Sequence, residues 1–173
     1  MLATHTAKGS GFAISAEYPA SAWYVAPSVV PALHSPHELG SISNRPLQQV
    51  PASSEENRPA VDLLDAAAVY VWIYYEVLGD PSIGDASRPP IPDYSGFSYP
   101  FEYNESQVFP AHAAYDWDPA VLTWRRLGRN LPPNVQRAQP AALTVMVWEG
   151  TRASVEDVRA AEAIVKSVSV AGS

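Results

Sequence analysis

The chain of 173 residues has no cysteine. That absence excludes disulfide bonds, thiolate ligands for a metal ion and a cysteine nucleophile. The N-terminal segment also lacks the basic stretch and the apolar core of a signal peptide. The longest apolar run, residues 66–75, is too short to span a bilayer, which takes about 20 residues. We therefore expect a cytoplasmic or particle-associated protein with no membrane partner.

Charged residues are scarce as well, at 17% of the chain, and they are unevenly distributed. Residues 61–118 carry ten acidic side chains against the single basic Arg88, whereas residues 119–173 carry a small basic excess. The net charge is -7. Because an acidic surface repels phosphate backbones and anionic lipid, nucleic acid is not an expected partner.

Sequence motifs of known catalytic sites are missing too. The chain has no GxSxG, GxGxxG, GxxxxGKS or HExxH pattern. His34 and His37 are close enough in sequence for zinc, with Glu38 as a third ligand. Pro36 between them opposes the helix that would bring both histidines to one face. The sequence therefore predicts a protein that is not an enzyme and that holds no metal and no cofactor.

Acidic side chains are concentrated in residues 102–118, where Glu102, Glu105, Asp116 and Asp118 occur. Paired carboxylates can perform general acid–base catalysis, and aromatic neighbours are typical of ligand pockets. The alternative function is therefore a small enzyme or a ligand-binding domain with an aromatic pocket that uses Glu102, Glu105 or His112. The simpler interpretation is a solvated acidic rim that keeps an aromatic segment soluble.

Proline and aromatic residues are abundant, and they occur in the same segments. Of 17 prolines, seven fall in residues 19–59 and seven in residues 81–119. Proline removes a backbone donor and fixes φ, so these stretches oppose regular structure. Disordered linkers are poor in aromatics. We therefore predict that residues 19–59 and 80–117 are extended arms that wrap the core or a partner, with these interface residues: Trp23, Tyr24, Tyr94, Phe97, Tyr99, Phe101, Tyr103, Phe109 and Trp117.

The basic excess is concentrated at Arg125, Arg126 and Arg129, beside a tryptophan. Arginines next to an aromatic ring suit an acidic protein partner or single-stranded nucleic acid, and contact with nucleic acid is a third candidate function. The simpler interpretation is a short helix over residues 118–128, opened by Asp-Pro and closed by glycine, whose last arginines compensate the helix dipole.

The local patterns predict an α+β fold in a single domain of residues 1–173, with a small sheet packed on two main helices. Alternating apolar residues indicate strands, and capping residues with apolar spacings of three and four indicate helices. Residues 69–77 leave a strand open as an alternative, because they are β-branched and aromatic. The predicted elements are strands at 11–18 and 141–148, a shorter strand at 22–26, and helices at 58–78 and 154–168.

These features favour a non-enzymatic structural or assembly protein. Low charge and aromatics on extended segments are typical of a chain whose surface is covered in its working state. We therefore expect a subunit or surface component of a larger particle, such as a capsid or a multiprotein complex. Its expected partners are protein chains, in a larger assembly or a homo-oligomer.

Overall fold

The computed structural model describes residues 1–9, 12–27, 37–47, 64–77, 103–107, 121–130 and 141–172. These residues form nine β-strands and one α-helix. In chain order they are β1 (Leu2–Gly9), β2 (Phe12–Pro19), β3 (Tyr24–Pro27), β4 (His37–Ser43), β5 (Val69–Val77), β6 (Tyr103–Gln107), β7 (Leu122–Asn130), β8 (Ala141–Gly150), α1 (Val155–Ser167) and β9 (Ser169–Gly172).

The strands make two antiparallel sheets. The small sheet has the order β1-β2-β9, and the large sheet has the order β3-β4-β5-β8-β7-β6. Helix α1 contacts β2 of the small sheet and β5 and β8 of the large sheet. The predicted α+β class with two main helices is therefore wrong. The described part of the chain is mostly β-structure and contains one helix.

The helix predicted at residues 58–78 is wrong, because residues 69–77 form strand β5. Residues 69–77 pair antiparallel with β4 on one side and with β8 on the other. Both faces of β5 are buried over residues 69–74, so each of these six residues is apolar or aromatic and the sequence does not show the apolar–polar alternation of a strand. Side-chain shape still alternates along the strand, with β-branched residues on one face and aromatic residues on the other. The β-branched residues are Val69, Val71 and Ile73, and the aromatic ones are Tyr70, Trp72 and Tyr74.

Strand β7 corrects the helix predicted at residues 118–128. Its nine residues pair with β8, and β6 pairs along its other side. Leu122 and Leu127 are both buried, but in different cores on opposite faces of the sheet. The helix signals were local, whereas two neighbouring strands satisfy the backbone of β7, and such tertiary pairing overrides local preference.

The four other predicted elements are confirmed. Strands β2 and β8 cover the predictions at 11–18 and 141–148 with a shift of one or two residues, and β3 overlaps the short strand at 22–26. Helix α1 lies within the predicted range 154–168, and Ser154 is its N-cap, since Ser154 Oγ accepts a hydrogen bond from the Asp157 N–H (3.0 Å). Its buried stripe consists of Ala161, Ile164 and Val165.

The two predicted arms contain strands of the large sheet. Strands β3 and β4 lie within residues 19–59, and β6 lies within residues 80–117. Residues 19–23 and 44–47 are described as well, and the remainder of both segments lies outside the described residues. That the arms wrap the core or a partner, in a single domain of 173 residues, stays a prediction.

The two central strands of the large sheet, β5 and β8, are buried on both faces. The first core lies between this sheet, the small sheet and α1, and it includes Ile14, Ile42, Val145 and Ile164. The second core lies on the opposite face and is mostly aromatic. Its members are Tyr70, Trp72, Tyr74, Leu122, Met146 and Trp148.

A turn at residues 64–68 leads into β5 and is held by Asn44 at the end of β4. Asn44 Oδ1 accepts a hydrogen bond from the Val69 N–H (2.7 Å), and Asn44 Nδ2 donates to the Ala67 carbonyl (3.1 Å). The Asn44 N–H donates to the Val69 carbonyl (3.2 Å). One side chain therefore fixes where β5 begins.

Asn44→Ala is expected to destabilise the protein by about 1–3 kcal/mol, because it leaves the Val69 N–H without its acceptor and Val69 is fully buried. Urea unfolding followed by circular dichroism measures the change. The control is Arg45→Ala at the next residue, which removes the exposed ion pair with Asp65 and a long hydrogen bond to the Asn44 carbonyl (3.4 Å) and should cost less than about 1 kcal/mol. Equal losses for the two variants would contradict this role of Asn44.

The ion pair of this turn also acts on the ionisation of Asp65. A hydrogen bond from the Arg45 guanidinium, followed by one from the Ala67 N–H, lowers the pKa of Asp65. A lowered pKa in the folded state stabilises the fold above the ordinary carboxyl range, and this contribution is lost as the pH falls through the lowered value. Both side chains are substantially exposed, so the contribution is small.

Candidate interaction surface

The predicted interface aromatics fall in three different situations. Trp23 is 5% exposed and belongs to the first core of this chain. Tyr24, the first residue of β3, is 49% exposed. Tyr103 opens β6 and stands opposite Gly128 of β7. The others lie outside the described residues: Tyr94, Phe97, Tyr99, Phe101, Phe109 and Trp117.

The three arginines lie on β7 and not on a helix. In the ladder with β8, Arg125 stands opposite Val147, Arg126 opposite Met146 and Arg129 opposite Leu143. The predicted role for these arginines at a helix C-terminus is therefore wrong, because there is no helix at these positions. Contact with an acidic partner stays a prediction.

The residues considered for catalysis or metal binding are mostly outside the described part of the chain. His37 and Glu38 lie on β4, and Glu105 lies on β6 opposite Arg126. The others, His34, His112, Glu102, Asp116 and Asp118, are not among the described residues. No group of three histidine, aspartate or glutamate side chains that could hold a metal ion occurs within the described ranges. Within the same ranges, no helix is long and apolar enough to cross a membrane.

The second core is an aromatic cluster built on the two central strands. The rings of Trp72 and Tyr74 lie 4.2 Å apart, and Tyr70 contacts Trp148 edge-on at 5.7 Å. Ser41 on β4 shares a hydrogen bond with the Tyr70 hydroxyl (2.7 Å). The cluster is almost fully buried, so it serves as packing within the chain and is not an open docking surface.

The indole nitrogen of Trp72 in this cluster is a buried hydrogen-bond donor. Trp72 is 1% exposed, and within the described residues nothing accepts a hydrogen bond from its indole N–H. A buried donor without an acceptor costs about 1–3 kcal/mol. The packing of the indole ring must therefore offset this cost.

Strand β1 forms an open edge of the small sheet. Within the described residues it pairs with β2 alone, from Leu2 opposite Pro19 to Gly9 opposite Phe12. Residues 3, 5 and 7 are half-buried, whereas residues 2, 4 and 6 are exposed. Because β1 is regular over eight residues, it presents one long edge.

Two hydrogen bonds determine which backbone groups of β1 face the open side. The Ala20 N–H donates to the Met1 carbonyl (3.2 Å), so Met1 and Ala20 belong to a hydrogen-bonded pair. Glu17, which stands opposite Thr4, instead donates its N–H to Ser167 Oγ (2.8 Å) on the other side of β2. Hydrogen-bonded and non-hydrogen-bonded pairs alternate in an antiparallel ladder. The even-numbered residues of β1 therefore direct their N–H and C=O groups away from β2.

An inward side chain of β1 contacts the large sheet. A Cβ atom at Gly40 on β4 would lie 2.5 Å from His5 Nε2, so the imidazole of His5 packs directly on the backbone of the large sheet. Leu2, Thr4 and Thr6 thus carry a fixed row of outward backbone groups. Such a row is a template for a further strand.

The three other sheet edges in the described part of the chain are less suited to pairing. Strands β3 and β9 have four residues each, and β3 ends at Pro27, which has no N–H. Strand β6 has five residues and carries Glu105. Short strands, proline and charge are the usual protection of sheet edges, and β1 has no proline and no charge before Lys8.

The chain has no match among protein-family models, curated proteins or solved structures. The β1 edge is therefore judged on its own geometry. Sequence reasoning missed it, since Leu2–Gly9 has small and polar residues in place of an alternating apolar pattern.

Proposed function

We propose that this protein is a non-enzymatic subunit of a protein assembly, and that it joins its partner by adding a strand to the edge of β1. The observation that supports the proposal most strongly is the row of outward backbone groups at Leu2, Thr4 and Thr6 on a regular strand of eight residues. In strand addition the main-chain hydrogen bonds give affinity, and side chains at alternate positions give specificity.

The side chains at this edge agree with strand addition. Leu2 is 63% exposed and Thr4 and Thr6 are exposed, so over residues 2–6 a partner strand meets one apolar and two β-branched side chains and no lysine, arginine, aspartate or glutamate. Threonine is favoured in cross-strand pairs. The aromatic arms predicted from the sequence remain a proposed additional contact, with Tyr24 at its described end.

A photoreactive amino acid tests this proposal in living cells. Placed at Thr4, it should give covalent products with a partner protein, and co-expressed unlabelled wild-type chain should reduce their yield. The matched control is the same amino acid at Arg159, which is exposed on α1 away from the β1 edge. Absence of products at position 4, or equal yields at positions 4 and 159, would contradict strand addition at β1.

A further inference from the structure

We infer that the partner strand is β1 of a second copy of this chain, paired antiparallel about His5. The inference rests on the proposed function, and it adds the identity of the partner and the register of the pairing. Its basis is the open edge of β1, where the outward N–H and C=O groups of one copy can bond to the outward C=O and N–H groups of another.

The hydrogen-bonding pattern restricts the possible registers. When two copies of β1 pair about a twofold axis, each residue of one copy stands opposite a fixed residue of the other. The outward backbone groups belong to even-numbered residues in both copies, so even residues must stand opposite even residues. The register that pairs all four even-numbered residues of the strand places Thr4 opposite Thr6, Leu2 opposite Lys8 and His5 opposite His5.

The side chains in this register are compatible with one another. Two pairs of threonines stand directly opposite each other on the exposed face, an arrangement that stabilises antiparallel strands. Lys8 is the only lysine, arginine, aspartate or glutamate of β1, and its position in this register is opposite Leu2, so no two of these charges are opposed. No proline interrupts the strand and no bulge is present in its pairing with β2.

Pairing with a second copy covers the long open edge of both chains at once. Pairing with an unrelated strand would cover it in only one. The pairing makes one continuous sheet of six strands in the order β9-β2-β1-β1-β2-β9. Both ends of that sheet are β9, which has four residues, so the long open edge disappears from both copies. A twofold interface of this kind uses the same surface on each subunit and stops at a dimer.

Size-exclusion chromatography with light scattering tests the partner. The wild-type chain should have twice the 18.7 kDa of one copy. Thr4→Pro removes an N–H that points away from β2, so the hydrogen bonds between β1 and β2 are kept. Both copies in the dimer carry the substitution, so the interface loses two hydrogen bonds. The dimer dissociation constant should rise by about 30-fold, as expected for two lost hydrogen bonds. The control Thr4→Val keeps the N–H and should remain dimeric.

Single cysteines test the register, because the wild-type chain has none. Opposed residues in a non-hydrogen-bonded pair have Cα atoms about 4.5 Å apart, which is within the range that a disulfide bridges. His5→Cys should therefore give a disulfide-linked dimer on mild oxidation. Thr4→Cys should not, because Thr4 stands opposite Thr6. Cross-linking at position 4 but not at position 5 would overturn the proposed register.

These outcomes separate the inference from the proposed function. A wild-type chain that is monomeric at every concentration, or a Thr4→Pro variant with unchanged dimer affinity, would overturn pairing between copies of β1. Products with a different protein at position 4 in cells, together with a monomeric purified chain, would overturn the inference and leave the proposed function standing. Absence of any product at position 4 would overturn both. Circular dichroism of Thr4→Pro verifies that the fold is intact.

Discussion

Replacing Gly150 with alanine is expected to destabilise the protein by about 3 kcal/mol or more. A Cβ atom at this position would overlap the carbonyl of Ala66, because the turn before β5 lies directly on the end of β8. The Gly150 N–H donates to the Ala68 carbonyl (2.7 Å) and the Arg152 N–H donates to the Ala66 carbonyl (2.6 Å), so the two backbones cannot separate without losing both bonds. Thermal and urea unfolding of Gly150→Ala measure the loss.

Gly40→Ala provides the matched comparison for Gly150→Ala. Its new Cβ would also meet a close neighbour, but the neighbour is the imidazole end of the His5 side chain, which can rotate away. We expect a cost below about 1 kcal/mol, since alanine is otherwise favoured over glycine in a strand. If both variants lost the same stability, a rigid backbone contact at Gly150 would not be the cause.

Trp72→Ala is expected to destabilise the protein by about 3–5 kcal/mol. Trp72 is 1% exposed on the central strand β5, and its ring contacts Tyr74 and lies 6.4 Å from Trp148. Removing the ring leaves a large cavity in the second core, where the neighbouring strands prevent collapse. Equilibrium unfolding in urea gives the difference in free energy. A change below about 1 kcal/mol would mean that the second core does not depend on this residue.

Trp72→Phe separates the ring from its N–H. Phenylalanine keeps an aromatic ring but removes the buried indole donor that has no acceptor within the described residues. Relief of that unsatisfied group, worth about 1–3 kcal/mol, should offset most of the lost packing volume. The expected net change is within about 1 kcal/mol. A loss as large as that of Trp72→Ala would show that the N–H makes an important contact.

The elements that could be predicted from the sequence are those whose signal is local. Helix α1 has its cap at Ser154 and a stripe of Ala161, Ile164 and Val165 within one segment. Strand β2 faces a core on one side only, so its apolar residues alternate visibly. In both cases the pattern depends on a single face and not on distant parts of the chain.

The elements that could not be predicted depend on distant partners. Strand β5 is buried on both faces over residues 69–74, and this run of apolar and aromatic residues resembles a buried helix. Strand β7 contains several arginines and is a strand because β6 and β8 pair with it. Strand β1 is an edge among the described residues, so it has neither a large apolar side chain at each second position nor, within those residues, a second strand paired with it. The candidate surface therefore depends on the order of strands in the sheet, which cannot be predicted from a local sequence pattern.

The pairing of β2 with β9 has a consequence for how the chain folds. Glu17 and Ser167 are joined by a hydrogen bond across 150 positions of sequence, and the central pair β5 and β8 also joins distant segments. Bringing such segments together costs loop entropy before any contact compensates for it, so folding should be slow compared with that of a helical protein of this size. During synthesis on the ribosome, β2 is made long before β9, so the edge of β2 that pairs with β9 stays uncovered until β9 has been synthesised. A chaperone that shields strand edges would then increase the yield of folded protein.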